Sequence, residues 1–245
     1  MQTISLSFYR FTRPGAMHWA LWQMPLAMPK LRRLPGAGFV KTLGSGIGQS
    51  FIPVPNFAVY AVLVTWPSLE AAREQVATGA IYGRYREQAA EDFHVYLSTV
   101  SVRGQWDGAE PFERIQGLEP EPPYAILTRA SIRPHKAPAF WRDAPRIDAQ
   151  TAREPGILFK RGLGELPWIR QVTFSIWTDM EAMREFAYRH PFHRDAARHA
   201  RERSWFSEEL FARFRVLAAE GSWEGRNPLA EALARPPAPA LAEPA

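Results

Sequence analysis

Residues 57–74 read FAVYAVLVTWPSLEAARE, and residues 168–185 read WIRQVTFSIWTDMEAMRE. Thr65-Trp66 lies over Ile176-Trp177 at an offset of 111 residues, and LEAARE lies over MEAMRE at the same offset. Each stretch is a strongly apolar strand running into a helix, and Ser68 is placed to cap the first helix. The correspondence extends outward. Phe39, Lys41, Gly44 and Gly46 match Phe159, Lys160, Gly162 and Gly164 at offsets of 118 to 120. Arg13-Pro14 matches Arg133-Pro134 at 120, and Trp106 matches Trp223 at 117. The insertions fall between elements, where loops absorb them. An internal duplication is predicted, with Lys41 and Lys160 at equivalent strand positions.

Periodicity then divides each half alike. In the first, strands are expected at 3–11, 38–48, 57–66 and 94–106, with helices at 16–34, 67–77 and 81–91. In the second, strands fall at 124–132, 157–164, 168–177 and 208–217, with helices at 135–151, 180–188 and 192–205. Both halves read β-α-β-β-α-β, the ferredoxin-like order. Its sheet has helices on one face, so the other face needs a cover. The predicted fold class is α+β: tandem ferredoxin-like repeats forming a fused dimeric α+β barrel around a cavity. The expected divisions are 1–106, a polar Pro-rich linker at 107–123, 124–226, and an Ala/Pro-rich disordered tail at 227–245.

Composition narrows the chemistry. The 245-residue chain is 46% hydrophobic with 22% charged residues, ordinary globular material. It contains no Cys, which excludes disulfides, iron–sulfur clusters, a thiolate nucleophile and thiolate-ligated haem. The Thr3–Phe11 stretch alternates like a strand and lacks a secretory signal pattern, so a cytoplasmic protein is expected. The glycines at 44–48 lack the phosphate-loop pattern and read as hairpin chemistry. A net charge of +5 carries no aromatic-basic recognition motif, so no nucleic-acid partner is expected. Lys30, Arg32 and Arg33 follow Trp19, Trp22, Met24, Leu26 and Met28, a pattern for a peripheral membrane element; a buried helix with a basic end is the plainer alternative.

The candidate site lies in FAYRHPFHRDAARHARERSWF (186–206). On a helix His193 shares a face with Ala196, Ala197 and Ala200. At the 111 offset, His193, Ala196 and Ala197 replace Tyr82, Tyr85 and Arg86 of the first half. A histidine over small residues leaves room for something flat and large, so one cofactor site is predicted, in the C-terminal half, with His193 as an iron ligand. The alternative is a core histidine bonded to a carbonyl. His190 and His199 are weaker candidates, because His190 precedes Pro191 and His199 faces Asp195, Glu202 and Arg203. Alternation puts Arg170, Val172, Phe174 and Ile176 on one strand face and Gln171, Thr173 and Ser175 on the other, without deciding which lines the pocket.

Three segments carry a family resemblance: GFVKTLGSGIGQSFIPVPNFAVYAVLVTW (38–66), ILFKRGLGELPWIRQVTFSIW (157–177) and WFSEELFARFRVLAAEGSWEGRNPL (205–229). They resemble the spheroidene monooxygenases, carotenoid ketolases, over roughly Met1 to Leu229. The resemblance implies a haem protein that takes O2 and electrons from reduced ferredoxin and oxidises an acyclic carotenoid at a terminal C-2 methylene. It also implies His193 as the axial ligand of a haem b. On this footing Lys160, Arg170 and Gln171 are the catalytic candidates. Trp168, Phe174, Arg194, Ala197 and Arg198 are cofactor-binding candidates, with Arg194, Arg198 or Lys160 available to propionates. Another haem-barrel activity, aldoxime dehydratase-like or peroxidase-like, and a non-catalytic haem- or carotenoid-binding module remain alternatives. A fused barrel needs no partner to close its cavity, though its edges leave room for a homodimer.

Overall fold

A computed structural model describes residues 1–47, 54–118, 121–142, 156–189 (side chains to 184) and 204–234. Its centre is an eight-stranded closed antiparallel barrel. The strands are β1 (Thr3–Arg10), β2 (Val40–Gly46), β3 (Pro55–Trp66), β4 (Glu91–Gly104), β5 (Tyr124–Ile132), β6 (Ile157–Leu166), β7 (Arg170–Trp177) and β8 (Phe206–Gly221), in the circular order β1-β3-β2-β6-β7-β5-β8-β4. The helices are α1 (Pro14–Leu26), α2 (Met28–Leu31), α3 (Leu69–Thr78), α4 (Ala80–Gln88), α5 (Met180–Arg189) and α6 (Ala230–Ala234). Ser68 caps α3 as expected, its Oγ accepting from the Ala71 amide at 3.2 Å. The 135–151 helix is seen as a 3-10 turn at Pro134–Lys136 followed by helical residues 137–142, and its remainder lies outside the described residues.

Strand alternation sends one set of side chains into the barrel. Ile4, Leu6 and Phe8 of β1 meet Phe93 and Val95 of β4, Phe159 of β6, and Val172, Phe174 and Ile176 of β7. Phe8 is the hub, with ring centroids 4.9 Å from Phe159, 5.8 Å from Phe174 and 6.2 Å from Trp223. This corrects the expected internal cavity, because the interior is filled with rings. Eight strands leave room only for side chains of this size. Burying each Phe contributes roughly 1.5–3 kcal/mol, which favours a packed interior over a hollow one.

The ends of the barrel are closed by two matched turns. Asp107-Gly108 and Glu224-Gly225 all have positive φ, between 54° and 80°, the signature of tight hairpin turns that Gly enters without strain. Each turn swings its preceding tryptophan, Trp106 or Trp223, into the barrel mouth. Each is tied down by a glutamate from the other half of the chain. Glu208 accepts the Asp107 and Gly108 amides at 3.0 and 2.7 Å, and Glu91 accepts the Gly225 amide at 2.8 Å. Phe112 and Leu229 fill the space beside these turns and are both buried. Two expected boundaries therefore change. Pro111 and Phe112 of the expected linker are buried against the barrel, and Leu229 of the expected tail is buried ahead of α6. Residues 235–245 of the expected tail lie outside the described residues.

Burial pushes the Glu208 carboxyl up, but the two amides and Arg129 outweigh it and hold it below the ordinary carboxylate range. Glu91 behaves the same way against the Gly225 and Glu224 amides, Ser222 and Arg10. A folded pKa below the unfolded one gives stability that is complete above about pH 5 and is lost as pH falls through the unfolded and then the folded value. The thermal midpoint should therefore drop between about pH 5 and pH 3, and Glu208→Gln should flatten that drop. An unchanged acid limb in E208Q would show that this cap contributes nothing.

The pairing registers also correct one correspondence. Lys41 lies opposite Leu63 and Arg161 opposite Phe174, at the 111 offset of the two apolar strands. Arg161, not Lys160, is therefore the counterpart of Lys41. A one-residue slip along a strand exchanges its faces. Lys41 and Arg161 point to the barrel mouths, whereas Lys160 points to the outside.

Candidate functional site

The outer face of the sheet decides where a large ligand fits. In the N-terminal half, α1 to α4 cover Tyr9, Tyr60, Val62, Val64 and Trp66. The Tyr9 ring stacks on Tyr85 of α4 at 4.7 Å and 26°, and Tyr82 is fully buried beside them. Burial pushes the Tyr60 phenol up to about 12 and raises those of Tyr9, Tyr82 and Tyr85 well above the ordinary range, so all four remain protonated, structural rings.

The registers show what stands at the same places in the C-terminal half. Tyr9 and Tyr60 are cross-strand partners, as are Ala130 and Gln171. Val62 and Val64 correspond likewise to Thr173 and Ser175, and Val40 to Lys160. The floor of the second half is thus Ala130, Gln171, Thr173, Ser175, Thr128 and Lys160, with Gly162 and Gly164 alongside. Where the first half is filled by rings, the second has small or polar side chains. A cleft of ≈170 Å³ lined by Tyr124, Ile126, Met180 and Arg213, among others, opens on the same half at the start of α5.

The candidate residues separate on this geometry. Lys160 and Gln171 are half-buried on the outer face, and the Gln171 side chain lies over Gly164, with its amide atoms within 4 Å of where a Cβ on that glycine would be. Phe174 is fully buried inside the barrel, on the opposite side of β7. Arg170 shares that inner side and reaches the rim, with Nη1 3.4 Å from Asp107. Arg170 and Phe174 therefore do not line the surface that carries Gln171. Trp168 sits in the β6–β7 turn at φ 70°, half exposed, and its carbonyl accepts the Trp141 indole N–H at 2.8 Å. His193, Arg194, Ala197 and Arg198, with His190 and His199, lie outside the described residues.

The described histidines stand elsewhere. His18 is exposed on α1 and receives the Trp22 indole N–H at 3.0 Å. His94 is a buried residue of β4, 3.1 Å from Asp92, whose carboxyl it holds below the ordinary range. His135 is exposed. Among the described residues no cluster of His, Asp and Glu could hold a metal ion.

A second constellation escaped the sequence reading. Arg129 of β5 is fully buried inside the barrel mouth, where β1 has Phe8. It pairs with Glu208, with Asp107 at 3.0 Å and with Glu165 at 3.5 Å, and it lies 5.8 Å from the Trp106 ring. Lys41 joins the same carboxylates, 2.6 Å from Glu165. The available signal was one arginine at an inward position of an alternating apolar strand. The set is a network of ion pairs in the barrel mouth, in which only the Nε of Arg129 is left without a hydrogen-bond partner among the described residues.

Comparison with known proteins agrees with this framework. The chain is 44% identical to the spheroidene monooxygenase of Cereibacter sphaeroides, aligned over all of this chain and 78% of that protein. It is 43% identical to that of Rhodobacter capsulatus over 94% of this chain and 96% of the relative. For the Rubrivivax gelatinosus protein of the same name the identity is 35%, over 87% and 82%. No family profile matches. Among solved structures, an aldoxime dehydratase superposes with a TM-score of 0.60 at 8% identity, over 88% of this chain and 81% of that one. An aldoxime dehydratase complexed with butyraldoxime gives 0.57 at 10% identity, over 95% and 85%. At such identities these two likenesses speak for the fold alone.

Proposed function

The chain belongs to the spheroidene monooxygenase family, and from that premise we propose that it oxidises an acyclic carotenoid at its terminal C-2 methylene. O2 and reduced ferredoxin supply the oxidant and the electrons. The site is a histidine-ligated haem b on the outer face of the C-terminal sheet. We further read the two halves as products of a duplication, of which only the second kept room for the cofactor.

The observation that carries this reading is the fate of the stacked pair Tyr9–Tyr85. Its counterparts are Ala130, by strand register, and Ala196, by the 111 offset. A ring stack becomes two methyl groups, while Tyr82 becomes His193. On the proposed reading that exchange would free a flat volume and bring an imidazole to it. The donor set fits as well. Without Cys, a neutral imidazole is the common remaining haem ligand.

In this arrangement His193 would hold the iron, and Arg194, Arg198 or Lys160 would pair with the propionates. A small Ala197 would leave space for the group, and Trp168 is offered by the β6–β7 turn. A bound haem supplies the O2 activation needed to break an unactivated C–H bond. The chain supplies orientation, dryness and protons. Gln171 and Lys160 are the longest polar side chains of the floor and would be able to donate hydrogen bonds to the reacting oxygen. Arg170, drawn away to Asp107, is left out of that role. One turnover takes O2, two electrons and two protons, and yields the alcohol and water. A second at the same carbon gives a gem-diol, which loses water to the ketone.

The test is the absorption spectrum of protein expressed with iron and a haem precursor, followed by O2 uptake with reduced ferredoxin and an acyclic carotenoid. A Soret band and carotenoid-dependent uptake are expected. No Soret band would overturn the haem. A Soret band without uptake would leave a binding module, and turnover of an aldoxime instead of a carotenoid would move the protein to another chemistry.

A further inference from the structure

The first helix leaves an apolar stripe in solvent that the fold does not use. The inner face of α1 is already packed. Ala16 and Ala20 are buried against the sheet, with Met17, Trp19 and Met24 packed beside them. The Met24 carbonyl also accepts the Thr42 hydroxyl at 2.7 Å, fixing the helix to β2. The outer face nevertheless carries Leu21, Trp22 and Leu26, exposed by 42%, 56% and 54%. With His18 and Pro25 these fall at positions 18, 21, 22, 25 and 26, a single stripe along the helix. Exposed apolar residues scattered singly need no explanation, but a continuous run of them marks a contact surface.

Charge identifies the contact. Arg13 lies at one end of the stripe and Lys30, Arg32 and Arg33 at the other, all exposed. Among the described residues none of the four has an ion-pair partner. The sequence holds no Asp or Glu before Glu70, so nothing nearby in the chain offsets these cations. We infer that α1, α2 and the turn after them are the docking surface for an anionic lipid bilayer. Leu21, Trp22 and Leu26 enter the acyl boundary, and the cations at both ends reach the headgroups. An acidic protein would answer the cations but not the aliphatic stripe between them. The surface is separate from the proposed haem site and does not rest on that assignment.

Sedimentation of the full-length protein with vesicles tests this. Vesicles of phosphatidylcholine mixed with phosphatidylglycerol should carry the protein down, and phosphatidylcholine alone should not. Lys30→Gln and Arg33→Gln should each weaken partitioning about fivefold. Leu21→Gln/Trp22→Gln/Leu26→Gln should abolish it while far-UV circular dichroism and the thermal midpoint stay unchanged, since these side chains face solvent. If the triple variant misfolds, the two single cation variants decide alone. Three results would overturn the inference: no binding to anionic vesicles, equal binding to neutral ones, or binding that K30Q and R33Q weaken and the triple variant leaves intact. The last would mark a surface for an acidic protein.

Discussion

His193→Ala should yield a protein with no Soret band and no ferredoxin-dependent turnover, yet with the thermal midpoint of the parent. On the proposed reading the imidazole is the sole covalent tie between chain and iron, so its loss removes the cofactor rather than slowing a step. The barrel should not notice, because its packed interior is formed by strands and by the two turns that plug its ends. A companion substitution attacks the same site from the floor. Ala130→Tyr restores the ring that the first half carries at Tyr9. The ring should occupy the flat volume and exclude haem while His193 is still present. Adding Ala196→Tyr should rebuild the stacked pair and recover some of the stability that an unsupported ring costs. An intact Soret band in both His193→Ala and Ala130→Tyr would mean that the cofactor sits elsewhere. Loss in A130Y but not in H193A would pass the ligand role to His190 or His199, and the same substitution at each would decide between them.

The fold was legible because the same order of elements occurs in each half of the chain. Two apolar strands and their helices at one offset gave the β-α-β-β-α-β order, and the closed barrel followed from the need to cover both sheet faces. What escaped is tied to closure itself. A ferredoxin-like half considered alone has no barrel mouth, so nothing in it asks for Phe112, Leu229 or the two Trp-x-Gly turns that plug the ends. Phe112 and Leu229 sit in polar or proline-rich text, and composition read them as linker and tail. The assignment of Lys160 to the place of Lys41 failed for a different reason. Glycine-rich strands align with a slip of one residue at little cost in sequence, and one residue is the whole difference between inside and outside. The site followed the same division. The His193 contrast was visible in sequence, but its floor of Ala130, Thr173 and Ser175 emerged only when the ladders fixed which residues stand beside one another.

Arg129→Ala should be the most destabilising single change among the described residues, by about 3–5 kcal/mol, which for a chain of this length lowers the midpoint by roughly 6–20 °C. The reason lies in what it leaves behind. Arg129 is fully buried and shared among Glu208, Asp107 and Glu165. Without it Glu208 loses its ion-pair partner, and Asp107 and Glu165 are left to Lys41, with Arg170 beside Asp107. Desolvation raises the Asp107 carboxyl, but Lys41, Arg170 and Arg129 together hold it below the ordinary range; without Arg129 part of that hold is lost. The parent loses stability as Asp107 and Glu208 take up protons on acidification. R129A should lose less over the same range, because its carboxylates gain little from being charged. The two unfolding curves should therefore converge towards low pH. Arg129→Met with Glu208→Gln should cost less than the two single changes added together, since it removes the stranded charge along with its partner. Additive costs, with parallel acid limbs in the parent and R129A, would show that Arg129 acts by filling space beside Trp106 and not by its charge.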